Sequence, residues 1–187
     1  SPKPNFRGYF YIEFSRPYFD FSCSGNDQDE VQGVVTVAED GPLVARIGLS
    51  LISVEQARAN LRNEVGKRSY RSVLRIAREK WASQFDKVRI KASEEVKTIF
   101  YTALYHSLLY PRKIDEYGRY YSAFDDAIHN GVMYNCWSMW DTYRAEHPLL
   151  TLVTPEHIDD MMQSLVEMFN EGGWLPKWPN PSYTGIM

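Results

Sequence analysis

The spacing of apolar positions changes period once along the chain, near residue 52. Before that point the apolar residues come in strand-length runs. YFYIEF at 9–14 and VQGVVTV at 31–37 are β-branched and aromatic, and such runs predict strands. The polar stretch CSGNDQDE between them reads as a turn-forming loop. Leu43, Ala45, Ile47, Leu49 and Leu51 then alternate with Val44, Arg46, Gly48 and Ser50. Period two of that length predicts a strand with one face on a core. Asp40-Gly41 suits a tight turn, so residues 31–51 are expected to form a β-hairpin at the end of an antiparallel β domain.

Past residue 52 the period becomes helical. Ser53 with Gln56 fits a capping box, Val54, Ala57, Leu61 and Val65 follow on one face, and Gly66 can end the helix. A second helix carries Tyr70, Val73, Leu74, Ala77, Trp81 and Phe85; the two helices read as a connector. A third opens at Ser93 with Glu94 and Glu95, an N-cap followed by acids that suit the positive helix start. Its apolar set is Val96, Ile99, Phe100, Ala103, Leu104 and Leu108, and Pro111 closes it. A loop with Asp115, Glu116, Asp125, Asp126 and His129 follows. The Trp-rich segment after it is expected to become a helix at about Trp140 and to run to Leu152 through Pro148. Thr154-Pro155 reads as an N-cap with proline at the first helical position. Ile158, Met161, Met162, Leu165, Met168 and Phe169 form a core-filling stripe that Gly172-Gly173 stops. The chain closes in GGWLPKWPNPSYTGIM, an aromatic loop.

Composition narrows the function classes. With 44% hydrophobic and 24% charged residues among 187, the chain is globular rather than disordered. A net charge of −3 leaves no nucleic-acid footprint. The densest basic run, Lys67, Arg68, Arg71, Arg75 and Arg78, has the spacing of a solvated helix face. Cys23 and Cys136 make neither a disulfide framework nor a metal motif, and a single long-range bridge between them stays open. No apolar run is long enough to span a membrane. A first residue of Ser and a final Pro/Asn/Gly-rich stretch lead us to expect an internal piece of a larger protein.

The densest candidate chemistry lies in GVMYNCWSMWDTYRAEHPLLTL, residues 131–152. Trp137, Trp140 and Tyr143 surround Asp141 and Arg144, which stand three apart, near one face of a helix. Aromatic faces beside a carboxylate and a guanidinium suit a sugar: a surface for its C–H face and charged partners for its hydroxyls. The same cluster also reads as a buried aromatic corner with an internal ion pair. His106 is a lone helix histidine of structural type, and the acids around His129 match the spacing of neither an EF-hand nor a zinc motif.

Four segments, in order, resemble one known family: ISVEQARANLRNEV (52–65), FYTALYHSLLYPR (100–112), WDTYRAEHPLLTL (140–152) and GGWLPKW (172–178). They are similar to the calcium-dependent exo-α-mannosidases of glycoside hydrolase family ninety-two. The resemblance implies an α+β multidomain piece: the end of an antiparallel β-sandwich (1–52), a helical linker (53–91) and the first helices of an (α/α)6 barrel (92–187). It implies inverting hydrolysis of terminal α-linked mannose from N-glycans or mannans, with Ca2+ as cofactor and mannose-containing oligosaccharides or glycoproteins as partners. The alternative is a non-catalytic carbohydrate-binding protein on the same scaffold; a third reading is a sheet-plus-helix interaction module. The family's acid and base come from motifs further along, so no catalytic residue is expected before Met187, nor most or all of the calcium ligands. What carries over is the mannose-binding pair Trp140 and Asp141. Arg144 is expected to steady Asp141 or its helix, Trp137 belongs to the same aromatic group, and Trp174, Lys177 and Trp178 are expected to face the same cavity. Asp125 and His129 are placed near the cleft. A secreted, periplasmic or cell-surface location is implied by the family alone.

Overall fold

Two antiparallel strand pairs open the chain. The computed structural model of the protein describes residues 5, 7–26, 30–38 and 41–179. Strand β1 (Tyr9–Phe14) pairs with β4 (Ala45–Ser50), and β2 (Tyr18–Asn26) pairs with β3 (Glu30–Val37). The hairpin expected over 31–51 therefore does not form: its two arms pair with different strands. Asp40 lies outside the described residues. The stretch read as a loop from Cys23 is largely strand, with Cys23 opposite Gly33 and Asn26 opposite Glu30. A ladder is made of backbone groups, so small polar side chains on an exposed strand leave no apolar trace of it.

The alternation in β4 marks a strand, but the face that packs is the one with the small side chains. Gly48 and Ser50 are buried, whereas Ile47 is 54% and Leu49 70% exposed. Helix α1 (Val54–Glu64) packs on β1 and β4, and it comes too close for a side chain at Gly48. A Cβ there would lie 2.1 Å from the Ala57 carbonyl oxygen and 2.8 Å from Leu61 Cβ. Polar groups seal this contact: Asn60 Nδ2 donates to the Leu49 carbonyl at 2.8 Å, and Gln56 Nε2 donates to Asn60 Oδ1 at 2.9 Å. Ser53 caps α1, its Oγ accepting from the Gln56 N–H at 3.1 Å. Contacts divide the chain after Lys67, so α1 belongs to the strand unit, Ser1–Lys67.

The second unit, Arg68–Met187, begins with α2 (Tyr70–Phe85) and α3 (Glu94–Ser107). An aromatic ladder joins them: Trp81 meets Phe85 and Tyr105 with ring centroids 5.6 and 4.6 Å apart. Only Leu104 of the α3 stripe is fully buried; Val96 and Ile99 are exposed. His106 is exposed as well.

The acid-bearing segment read as a loop is a nested pair of short ribbons. Outer strands β5 (Arg112–Lys113) and β8 (Tyr134–Asn135) pair, and between them β6 (Arg119–Ser122) pairs with β7 (Ala127–Asn130). Its bends fall at left-handed residues, Tyr117 and Gly118, then Asp126. The single helix expected from Trp140 to Leu152 is two: α4 (Met139–Thr142) and α5 (Glu146–Val153). The break puts Pro148 in the first turn of α5, where a missing N–H costs nothing. Thr154 stands at the N-cap of the next turn with Pro155 first in it, as expected, but its side chain closes α5 instead, donating its Oγ1 to the Leu150 carbonyl at 3.0 Å. A 3-10 turn at Pro155–His157 leads into α6 (Ile158–Gly172), which ends where Gly173 turns left-handed. From α6, Met161, Leu165 and Met168 pack with Tyr120, Met133, Tyr134 and Trp137 as the core of this unit. Met162 and Phe169, from the same predicted stripe, are about half exposed at 46% and 49%. Both thiols, exposed Cys23 and buried Cys136, are free. Among the described residues, no helix is long and apolar enough to cross a membrane.

Candidate functional site

The site is assembled where β8 runs into α4 and the loop after α6 returns across them. Cys136, in the left-handed region at φ 64°, turns the chain out of β8. Two backbone bonds hold the returning loop: Trp137 N–H to the Pro179 carbonyl at 3.1 Å, and Met139 N–H to the Lys177 carbonyl at 3.3 Å. Residues some forty apart in sequence are thereby set side by side.

The small recess formed there is lined by Ser138, Trp140, Asp141, Lys177 and Trp178. Four of these five were singled out from the sequence. Trp140 is 64% exposed, with the Lys177 ammonium 5.1 Å from its ring centroid. The Asp141 carboxylate is exposed and accepts from the Ser138 hydroxyl at 2.5 Å. Ser138 was missed; only its place three residues before Asp141, where a hydroxyl reaches back to a helical carboxylate, signals it. Trp174 is 47% exposed in the same loop but is not among the residues lining the recess.

Two expectations fail locally. Arg144 does not steady Asp141: it lies in the turn after α4, donates its Nε to the Tyr143 hydroxyl at 2.7 Å and lies 5.4 Å from the Tyr143 ring centroid. The helix break at 143–145 removes the shared face that would have joined acid and base. Trp137 is a core residue at 2% exposure, with its Nε1 donating to the Tyr134 carbonyl at 3.1 Å.

A second recess shares Ser138 and Trp178 with the first, and Trp137 forms part of its wall. Glu146 and His147 line it too, both overlooked in the RAEHP run. Burial raises the Glu146 carboxyl and lowers the His147 imidazole from their ordinary values. Each is thereby pushed toward its neutral form. His147 Nε2 lies 2.8 Å from Thr142 Oγ1, and its ring meets Trp137 edge-on at 5.8 Å.

Asp125 and His129 belong to another cluster of the same unit. His129 Nε2 is 2.8 Å from Asp125 Oδ2 and 3.9 Å from Glu171 Oε1. Their donor atoms make the one group of three metal-capable side chains among the described residues. This set does not fit calcium, which takes six to eight oxygen ligands; here one of three donors is a nitrogen.

Comparison with known proteins places the chain. No match was found among curated proteins. An inverting mannosidase of family GH92 from Bacteroides thetaiotaomicron VPI-5482 is 33% identical, with a TM-score of 0.87 over 99% of this chain and 28% of that one. A further α-mannosidase of that family from Bacteroides thetaiotaomicron, solved with mannoimidazole, is 23% identical and has the same fold, with a TM-score of 0.81 over 95% of this chain and 27% of that one. The chain thus spans little more than a quarter of the structures it matches. Residues 56–187 match the glycosyl hydrolase family 92 catalytic domain, and the chain belongs to that family.

Proposed function

We propose that the protein is an exo-acting α-mannosidase that hydrolyses terminal α-linked mannose with inversion, and that this chain supplies part of the subsite holding the terminal sugar. The observation that carries the reading is the grouping of side chains in which an exposed indole, a carboxylate, an ammonium and a second indole stand together at the surface: Trp140, Asp141, Lys177 and Trp178. Family membership and 33% identity to an inverting mannosidase support it.

Each group has a task in this reading. Trp140 offers an apolar surface to the C–H face of the ring, and Lys177 fixes one edge of that surface. Asp141 accepts from sugar hydroxyls; such charge-assisted bonds orient a ligand as well as hold it. Ser138, donating to one carboxylate oxygen, aims the other. Inversion requires a carboxylic acid for the leaving oxygen and a carboxylate base for the attacking water, set about 6.5–9.5 Å apart. Neither role is given to a residue of this chain, and we place both on the part of the enzyme that its 28% coverage of the relative leaves out. The same holds for the ligands of the proposed calcium, for which Asp125, His129 and Glu171 are the wrong donors. In the larger architecture, residues 1–52 would close the family's sandwich, 53–91 link it, and 92–187 begin the barrel.

The test is mannose release by the whole enzyme from a panel of α-mannobioses, with calcium and with a chelator. Release that the chelator abolishes is the expected result, and it names the linkage. No release from any substrate by the folded enzyme would overturn the reading.

A further inference from the structure

We propose that Asp125, His129 and Glu171 form a binding site for a zinc-class divalent cation, which clips the β6–β7 ribbon to the C-terminal end of α6. The approach of these two elements is built into the chain. Gly172 is the point of contact: a Cβ there would lie 2.4 Å from the Phe124 ring. With no side chain in the way, Phe124 seats against the helix end and brings Asp125 beside Glu171.

Donor spacing is the first argument. All three donor atoms lie within 4.8 Å of one another. Nitrogen and oxygen ligands about 2.0–2.2 Å from a zinc ion stand roughly 3.4 Å apart at the tetrahedral angle. The observed separations from His129 Nε2, 2.8 and 3.9 Å, straddle that value.

The second argument does not depend on counting acids. The Glu171 side chain is only 6% exposed, and its Oε2 is buried without a hydrogen-bond partner. A buried carboxylate oxygen left unsatisfied is costly, and a cation held by this carboxylate would offset that cost. Its other oxygen, Oε1, is the one that faces His129, and the Tyr120 hydroxyl donates to it. Asp125 is held in the same way: Oδ1 accepts from the Ala127 N–H at 3.2 Å, leaving Oδ2 turned to the histidine. Protein donors that fix ligand carboxylates and rings are a regular feature of metal sites, and here the Tyr120 ring also stacks on His129 at 5.5 Å.

The donor set then selects the ion. An imidazole with two carboxylates suits zinc and its neighbours rather than calcium or magnesium. Asp125 and His129 remain about a third exposed, at 32% and 33%, which leaves room for water at a fourth position. The bound ion would hold the end of α6 just before Gly172-Gly173, and so set where the loop carrying Trp174, Lys177 and Trp178 begins.

The experiment strips the protein with a chelator and titrates it with Co2+, a spectroscopic stand-in for Zn2+. The expected result is one equivalent bound, with visible bands of low-coordinate cobalt(II) that Zn2+ bleaches and Ca2+ leaves unchanged. Zn2+ should also raise the Tm, because it binds the folded state. His129→Ala and Asp125→Asn should each lose the bands and the Tm shift. Tyr120→Phe should weaken binding by roughly 10- to 100-fold, as loss of a residue that orients a ligand does. Absence of both bands and Tm shift in the folded wild type would overturn the site. Bands that persist in whichever of His129→Ala and Asp125→Asn folds would overturn it equally.

Discussion

Trp137 and Trp140 stand three residues apart and meet opposite surroundings. Trp137, at the end of the β8 ribbon, is 2% exposed and packs with Tyr134, Met161 and Met168. Trp140, on the single turn of α4, is 64% exposed and borders the recess with Asp141. The difference lies in the backbone. The bend at Cys136 sends the first indole into the core, and the short helix stops before the second can follow it. One aromatic anchors the platform on which the other is displayed. A tryptophan-rich run is therefore not one site but a foundation and a surface, and substitutions should separate the two.

The largest effect belongs to the foundation. Trp137→Ala should lower stability by about 3–5 kcal/mol, the range for emptying a buried large aromatic site, measured by denaturant unfolding. An effect below ~1 kcal/mol would show that the core does not rest on this indole. Asp141→Ala should do the reverse. In the whole enzyme it should cut kcat/KM for mannosides by about 100-fold, equivalent to roughly 3 kcal/mol of charge-assisted hydrogen bonding. Its Tm should stay near wild type, because the side chain is exposed. Near-normal turnover would remove Asp141 from the site.

Trp140→Ala should raise KM several-fold while shifting stability by less than ~1 kcal/mol, the worth of an exposed cation–π contact. A large stability loss would make Trp140 a second anchor and erase the contrast. The smallest effect concerns His147, which packs against the buried indole. Burial lowers its pKa below the ordinary 6.5, so the unfolded chain takes up the proton first. The stability it contributes is present above 6.5 and is lost as pH falls from there through the lower folded value. The Tm should fall over that window in wild type and fall less in His147→Gln.

How much was legible follows the same division between local and distant causes. Helix starts at Ser53, Ser69 and Ser93 are set by hydroxyls that accept N–H groups three residues ahead; the first and third were read directly, since the cause lies within one turn. The Gly173 stop is equally local. The strand over 45–50 was readable from period two, but its packing face was not. That face depends on how closely α1 passes over Gly48, a fact about two elements. The ribbons at 112–135 were missed because strands of two and four residues are too short to display a period. Glu171 was overlooked because nothing near it in sequence marks it; its partners, His129 and Tyr120, lie more than forty residues away.

The sequence by itself determined the family, the succession of strands followed by helices, and the pairing of Trp140 with Asp141 as the sugar-facing candidates. Those depend on motifs and periods carried within a few residues. Tertiary structure alone decided which tryptophan is buried, which neighbour Arg144 takes, that the loop with Lys177 and Trp178 returns to Ser138, and that Asp125, His129 and Glu171 meet. Side chains distant in sequence become neighbours only when packing and a few backbone hydrogen bonds close the long loops between them, and a one-dimensional period cannot encode that closure.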